Sequence, residues 1–309
     1  MKHSLSIGAD IGGTHITCAA VKIHEGELLT ETLSRATYDH ECAAETILQS
    51  WAKALNHTLS KIDESQLAGI GFAIPGPFDY RNGISKMEHK FKNLFGLHIP
   101  GALNPLLSTQ KDLPMRFLND ASSFAIGESW LGEGRGFQKV VVVTLGTGFG
   151  SAFIEDGVPV VSGEEVPKEG CLWHLPFKDG IADDYFSTRW FIRAYQMQTG
   201  VSLSGVKALI EKADTDPIAR DLFTQFGQNL ASCLASPLQK FGAEILILGG
   251  NIAHALPLFD RAFTEGLTKA GLTVIVEVSK HSEHAALLGS ARLLDEPFWE
   301  KISAKLPNI

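Results

Sequence analysis

The chain has 309 residues with a formal net charge of −8, which argues against a nucleic-acid-binding surface built on basic residues. Hydrophobic residues make up 44% and charged residues 20%, enough for a large packed core and too apolar for disorder. No window reaches the ~18 apolar residues of a membrane span, and the opening MKHSLSIGADIGG lacks the layout of a signal peptide.

Alternation predicts strands over 4–12 and 16–23, with Glu25-Gly26-Glu27 turning into a third over 27–34. Residues 42–60 carry apolar side chains at helical spacing. LAGIGFAIPGPFD (67–79) reads as a buried strand ending in a loop around Gly76. MRFLNDASSFAIGESWLG (115–132) reads as a short strand, a sharp loop at Asn119-Asp120 and a helix. Residues 139–161 repeat the opening arrangement: a strand, a glycine-rich bend, a second strand, then Glu155-Asp156-Gly157 turning into a third. Helices are predicted over 183–199, 205–213, 217–241, 256–270 and 285–295, and strands over 243–251 and 273–279. The repeated hairpin implies two related α/β halves. The expected domains are 1–118, completed by the C-terminal helix 285–296, and 119–284. Cys18, Cys42, Cys171 and Cys233 lack C-x-x-C spacing. They read as reduced, mostly buried thiols of a cytoplasmic protein, not as zinc ligands.

Three strands end in glycine-rich bends: Asp10–Thr14, Leu145–Gly150 and Gly249–Asn251. Neither the G-x-G-x-x-G dinucleotide loop nor the P-loop pattern is present. Any one glycine pair reads as a tight turn. Three of them at strand ends, with Asp and Thr attached, read as backbone N–H nests for the phosphates of a nucleotide. Gly12, Gly13, Thr14, Gly146, Thr147 and Gly148 are the candidate phosphate contacts, and Gly249 and Gly250 would shape the nucleoside pocket. Asp10 either caps its turn or holds Mg²⁺ through water. Asp120 is either a helix N-cap or a general base that takes a proton from a substrate hydroxyl attacking the terminal phosphate, with Asn119 binding the same substrate.

IGADIGGTHI, GFAIPGPFD, FLNDASSFAIGE, VTLGTGFGSAF and LILGGNI stand in an order and spacing that resembles the ROK family (repressors, open reading frames and kinases) over roughly residues 5–294. The resemblance implies a two-domain, actin-like (ribonuclease H-like) α/β fold with mixed sheets and a central cleft that closes on substrate. It implies ATP with Mg²⁺ as phosphoryl donor, a hexose as acceptor, most simply at O6, and Asp120 as catalytic base. It also implies sugar contacts from Gly76, Asn93, Asn119, Asp120, His174 and Asp183, and a cytoplasmic homodimer.

Two departures stand out. The zinc-binding cysteine loop of many members is missing, so no structural zinc is expected. Cys171 stands where a sugar-binding Glu is usual, with Glu169 as a substitute only if the loop bulges, and Asp183 is one methylene shorter than the second such Glu. Trp173 and Trp190 read as packing residues. The sugar is not named by the sequence, nor is ATP distinguished from polyphosphate. Two other readings stay open. One is a catalytically silent sugar- or nucleotide-binding protein. The other is a sugar-responsive repressor, disfavoured because the helix-turn-helix of such repressors precedes the first strand, which begins here at residue 4.

Overall fold

The structure, a computed structural model, describes residues 4–109 and 111–306. β1 (Leu5–Ile11) runs antiparallel to β2 (His15–Lys22), and β2 antiparallel to β3 (Glu27–Thr37). β1 is also parallel to β4 (Leu67–Ile74), which is parallel to β5 (Met115–Asn119), giving the order β3-β2-β1-β4-β5. β1, β2 and β4 are buried almost throughout, which explains their near-continuous apolar runs. α1 (Ala44–Leu59) lays Ile47, Leu48, Trp51 and Leu55 on β2 and β3. α2 (Asp120–Leu131) follows β5 without a gap.

The second hairpin repeats the plan. β6 (Lys139–Leu145) is antiparallel to β7 (Phe149–Glu155) and parallel to β8 (Ile245–Gly249), which is parallel to β9 (Ile275–Val278). The third strand expected after Asp156-Gly157 amounts only to Val158–Pro159. Between β7 and β8 lie α3 (Thr188–Thr199), α4 (Val206–Ile210) and α5 (Pro217–Phe241), and α6 (Leu256–Lys269) joins β8 to β9. Phe186, Phe191, Phe223, Phe226 and Phe259 form the aromatic centre of this unit. Trp190 packs into it, 4.9 Å from the Phe191 ring, whereas Trp173 is 48% exposed and so does not serve as the packing residue expected.

The helix expected over 183–199 is broken in two. A short turn, Ala182–Tyr185, ends before Ser187, which is extended, and α3 starts at Thr188. The break lets the Phe186 ring bury 5.1 Å from Phe149 and 5.8 Å from Phe226. The chain finishes with α7 (Glu283–Arg292) and α8 (Glu296–Ser303). α7 packs against α2, β1 and β4. It comes so close that a Cβ on Gly8 or Gly71 would collide with the backbone carbonyls of Leu287 and Ser290.

The chain divides into two compact units. One comprises Met1–Gly132, Gly157–Pro159 and Glu283–Ile309, the other Glu133–Asp156 and Val160–Ser282. The division falls after Gly132 and not at the Asn119-Asp120 loop, because α2 is packed on α7 within the first unit. None of the four cysteines is in a disulfide, and only Cys18 is fully buried. Cys42, Cys171 and Cys233 are half-buried, against the expectation of mostly buried thiols.

Candidate functional site

In the first unit the β1–β2 hairpin turns through Gly12, Gly13 and Thr14. The Gly12 N–H donates to the His15 carbonyl at 2.9 Å, closing the turn. Tyr38 braces it from outside: its hydroxyl lies 2.6 Å from the Gly12 carbonyl, and its N–H donates to the Thr14 carbonyl at 2.9 Å. The N–H groups of Gly13 and Thr14 have no hydrogen-bond acceptor among the described residues. In the second unit the β6–β7 hairpin turns through Gly146, Thr147 and Gly148. The Gly146 N–H donates to the Gly148 carbonyl at 3.1 Å, and the Thr147 and Gly148 N–H groups are likewise unclaimed. Both bends therefore present two consecutive free donors, the arrangement of an anion-binding nest. Neither depends on left-handed glycine: positive φ is absent at Gly12, Gly13, Gly146 and Gly148.

The third bend differs. Gly250 is left-handed at φ 81°, and a Cβ there would strike the carbonyl of Leu145. The Ile252 N–H donates to that same carbonyl at 3.0 Å. Here the fold itself requires the glycine, to knit the end of β8 to the end of β6. Gly249 is the buried last residue of β8.

Asp10 is the penultimate residue of β1, beside the first bend. Burial, then the charges of Asp120 and Glu283, push its carboxyl up to about 7, with Lys90 and Arg35 opposing. Asn119, not Asp120, is the N-cap of α2: its Oδ1 accepts the Ser122 N–H at 3.2 Å. Asp120 is the first helical residue, half-buried, with Oδ1 accepting the Ala121 N–H at 2.9 Å.

The charges of Asp120 and Glu283 act on a carboxyl already disfavoured by burial, a setting that a cation beside Asp10 would relieve. Mg²⁺ asks only one or two carboxylates and keeps its waters, so Asp10 is suited to hold it through water. Among the described residues no group of three or more His, Cys, Asp or Glu is placed to hold a metal ion. Glu283, Arg35 and Lys90 were not identified from the sequence. They reach Asp10 from α7, β3 and the loop before Phe91, with no local motif to mark them.

The sequence-derived sugar residues meet different fates. Gly76 is exposed at the turn after β4. The Asn93 amide donates to the carbonyls of Glu41 and Cys42, each at 2.9 Å, leaving only its oxygen uncommitted. In the second unit His174 is half-buried, edge-on to Trp173 at 5.3 Å. The loop before it kinks at Glu169, which is left-handed at φ 59°, and the Glu169 carboxylate pairs with Lys168 at 3.6 Å. Cys171 is half-buried, its Sγ 3.5 Å from the Glu169 carbonyl. Both oxygens of Asp183 are engaged inside the unit: Oδ1 accepts the Phe149 N–H at 2.7 Å and Oδ2 pairs with Arg189 at 2.5 Å.

The ROK family model matches residues 6–296, and the chain belongs to the ROK family. It is 25% identical to a glucokinase of Thermotoga maritima, over 94% of this chain and 97% of that one. It is 26% identical to an N-acetyl-D-glucosamine kinase of Photobacterium profundum, over 93% and 98%. Among solved structures, a ROK family glucokinase from Streptomyces griseus in complex with glucose and AMPPNP superposes with a TM-score of 0.75 at 22% identity, covering 94% of this chain and 98% of that one. The two mixed sheets, each an antiparallel hairpin extended by parallel strands, are those of the actin-like ATPase fold.

Proposed function

We propose that the chain is an ATP-dependent sugar kinase that transfers the γ-phosphoryl group to a hexose hydroxyl, at O6 of glucose or a close relative. The sugar-kinase class rests on family membership and on the glucokinase and N-acetyl-D-glucosamine kinase relatives. The observation that carries the mechanism is the Asp10–Asp120 carboxylate pair next to a bend with two free N–H donors.

In this reading the sugar oxygen attacks the γ-phosphorus, the bond from that phosphorus to the β–γ bridging oxygen breaks, and ADP leaves. Asp120 accepts the hydroxyl proton. The Gly13, Thr14, Thr147 and Gly148 N–H groups hold phosphate oxygens, so that most of the acceleration comes from positioning and charge neutralisation. Mg²⁺ entering with ATP supplies charge neutralisation on the phosphate oxygens, and Asp10 is the residue to hold it, through water. Gly249 and Gly250 border the nucleoside, and His174, Asn93 and Asn119 are the sugar contacts with polar atoms still available. A homodimer in the cytoplasm with no zinc completes the proposal.

A second reading, a sugar- or nucleotide-binding protein without turnover, is favoured by one observation: Cys171 and the doubly engaged Asp183 reduce the acidic groups facing an acceptor. A coupled ADP-release assay with Mg²⁺-ATP over hexoses, N-acetylhexosamines and ketoses separates the two, with inorganic polyphosphate as an alternative donor. Turnover on one sugar that disappears in Asp120→Asn supports the kinase. Silence across the panel with intact nucleotide binding supports the second reading.

A further inference from the structure

The Gly146–Gly148 bend is held by more than its hairpin. Thr188 opens α3, and both its N–H, at 2.8 Å, and its hydroxyl, at 3.0 Å, donate to the Gly146 carbonyl. The next residue, Arg189, donates from Nη1 to the Thr147 carbonyl at 3.1 Å and from Nη2 to Asp183 Oδ2 at 2.5 Å. Asp183 Oδ1 in turn accepts the Phe149 N–H at 2.7 Å. A Cβ on Gly148 would lie 3.2 Å from that same Oδ1.

The carbonyls of Gly146 and Thr147 are thus pulled toward α3 and Arg189, and the Phe149 N–H toward Asp183. In a turn this short, peptide planes fixed on both flanks fix the intervening N–H vectors. Those vectors are the two unclaimed donors, Thr147 N–H and Gly148 N–H. The network is a charge-assisted clasp in which one guanidinium bridges the Thr147 carbonyl and the Asp183 carboxylate, a fixed fork that lysine reproduces only in part. The two residues flank the break in the helix at Ser187: Asp183 lies in the short turn before it and Arg189 in the first turn of α3 after it.

We infer that Asp183 and Arg189 are positioning residues that pre-organise the Thr147 and Gly148 N–H groups for the nucleotide phosphates, and that Asp183 acts on the donor and not on the sugar. The inference rests on the phosphate-loop reading of this bend. It departs from the sugar-binding role that the ROK resemblance implies for Asp183.

The test is calorimetric titration of Mg²⁺-AMPPNP into the full-length protein, with steady-state KM for ATP and for the best sugar measured alongside. The variants are Asp183→Asn, Arg189→Ala, Arg189→Lys and the double Asp183→Asn/Arg189→Ala. Loss of a charge-assisted hydrogen bond predicts about 10-fold weaker AMPPNP binding in Arg189→Ala and Asp183→Asn. Sugar KM stays within about 2-fold, as expected for separable sites. Arg189→Lys recovers part of the loss, and the double variant is no worse than Arg189→Ala, since the two side chains act as one unit.

A raised sugar KM in Asp183→Asn with unchanged AMPPNP affinity overturns the inference and returns Asp183 to the sugar. Wild-type protein that takes up no AMPPNP overturns the phosphate-loop reading and the inference with it. Should Arg189→Ala fail to fold, Arg189→Lys and Asp183→Asn, checked by thermal melting, carry the same comparison.

Discussion

The Asn119 Oδ1 accepts the Ser122 N–H at 3.2 Å and so performs the capping that would otherwise fall to Asp120. The carboxylate one residue on is thereby left with a single backbone contact, at Oδ1. A cap and a base on adjacent residues divide the work: one fixes the start of α2, the other keeps an oxygen that the cap does not use. Asp120→Asn is therefore expected to fold normally, bind Mg²⁺-AMPPNP as the wild type does, and lose about 10²–10⁴-fold in kcat, the usual worth of a positioned base. Near-normal turnover would remove Asp120 from the chemistry. Asn119→Ala should behave differently, costing about 1 kcal/mol of stability through the lost cap. That loss is read as a melting temperature lower by roughly 2–4 °C.

Asp10 sets a pH dependence. Its carboxyl is raised from 3.8 to about 7 by burial and by Asp120 and Glu283. The sign follows from linkage: the folded chain holds this proton more tightly than the unfolded one. The stabilisation this gives is fully present below pH 3.8 and is lost as pH rises through about 7. Asp10→Asn, which carries no charge at any pH, should raise the melting temperature at pH 8 on the order of 2–4 °C and leave it nearly unchanged at low pH. Mg²⁺ binding should show the opposite slope, strengthening as the pH is raised through about 7, because the proton and the cation compete for the same oxygens. A melting temperature of Asp10→Asn that tracks the wild type at both pH values would contradict the environment assigned to Asp10.

Much of this was legible in the sequence, and for physical reasons. Strand alternation on both sides of Gly12-Gly13-Thr14 and Gly146-Thr147-Gly148 gave both hairpins, since register and bend are local properties. The strand-to-helix step at Asn119-Asp120 was legible because a cap must stand there, although which of the two residues caps was not. The break at Ser187 was not legible: helical periodicity runs through it, and only the burial of Phe186 among Phe149, Phe177 and Phe226 decides the backbone. The family resemblance made Asp183 a sugar ligand, yet its oxygens go to Phe149 and Arg189. Glu283 and Lys90 had no signal at all, because the fold brings them to Asp10 across long stretches of chain.

Lys90 supplies the next prediction. Its Cε lies 3.2 Å and its Nζ 3.7 Å from where a Cβ on Gly13 would stand. Its charge also opposes the upward push on Asp10. Lys90→Ala should therefore act twice: weaken Mg²⁺-AMPPNP on the order of 2–5-fold, the worth of a partly exposed charge contact, and move the pH midpoint of Mg²⁺ binding upward. Lys90→Arg keeps the charge and should retain both properties. Loss of nucleotide affinity without movement of the midpoint would separate the two effects and detach Lys90 from Asp10.

Gly250 gives a prediction about stability alone. It is left-handed at φ 81°, and a Cβ would strike the Leu145 carbonyl, which already accepts the Ile252 N–H at 3.0 Å. Gly250→Ala must strain the backbone, push β6 away from β8, or both. A non-glycine residue held in this region costs on the order of 1–3 kcal/mol before any collision is counted. Urea unfolding should show a lower midpoint with an unchanged slope. Gly146→Ala is the control, because it has no positive φ and a Cβ there meets nothing within 4 Å. Its urea midpoint should match the wild type. Any loss of Mg²⁺-AMPPNP affinity in Gly146→Ala then reports on the approach of phosphate to the bend, separated from the stability of the hairpin that carries it. Equal midpoints for the two alanine variants would show that the end of β8 accommodates a side chain at 250.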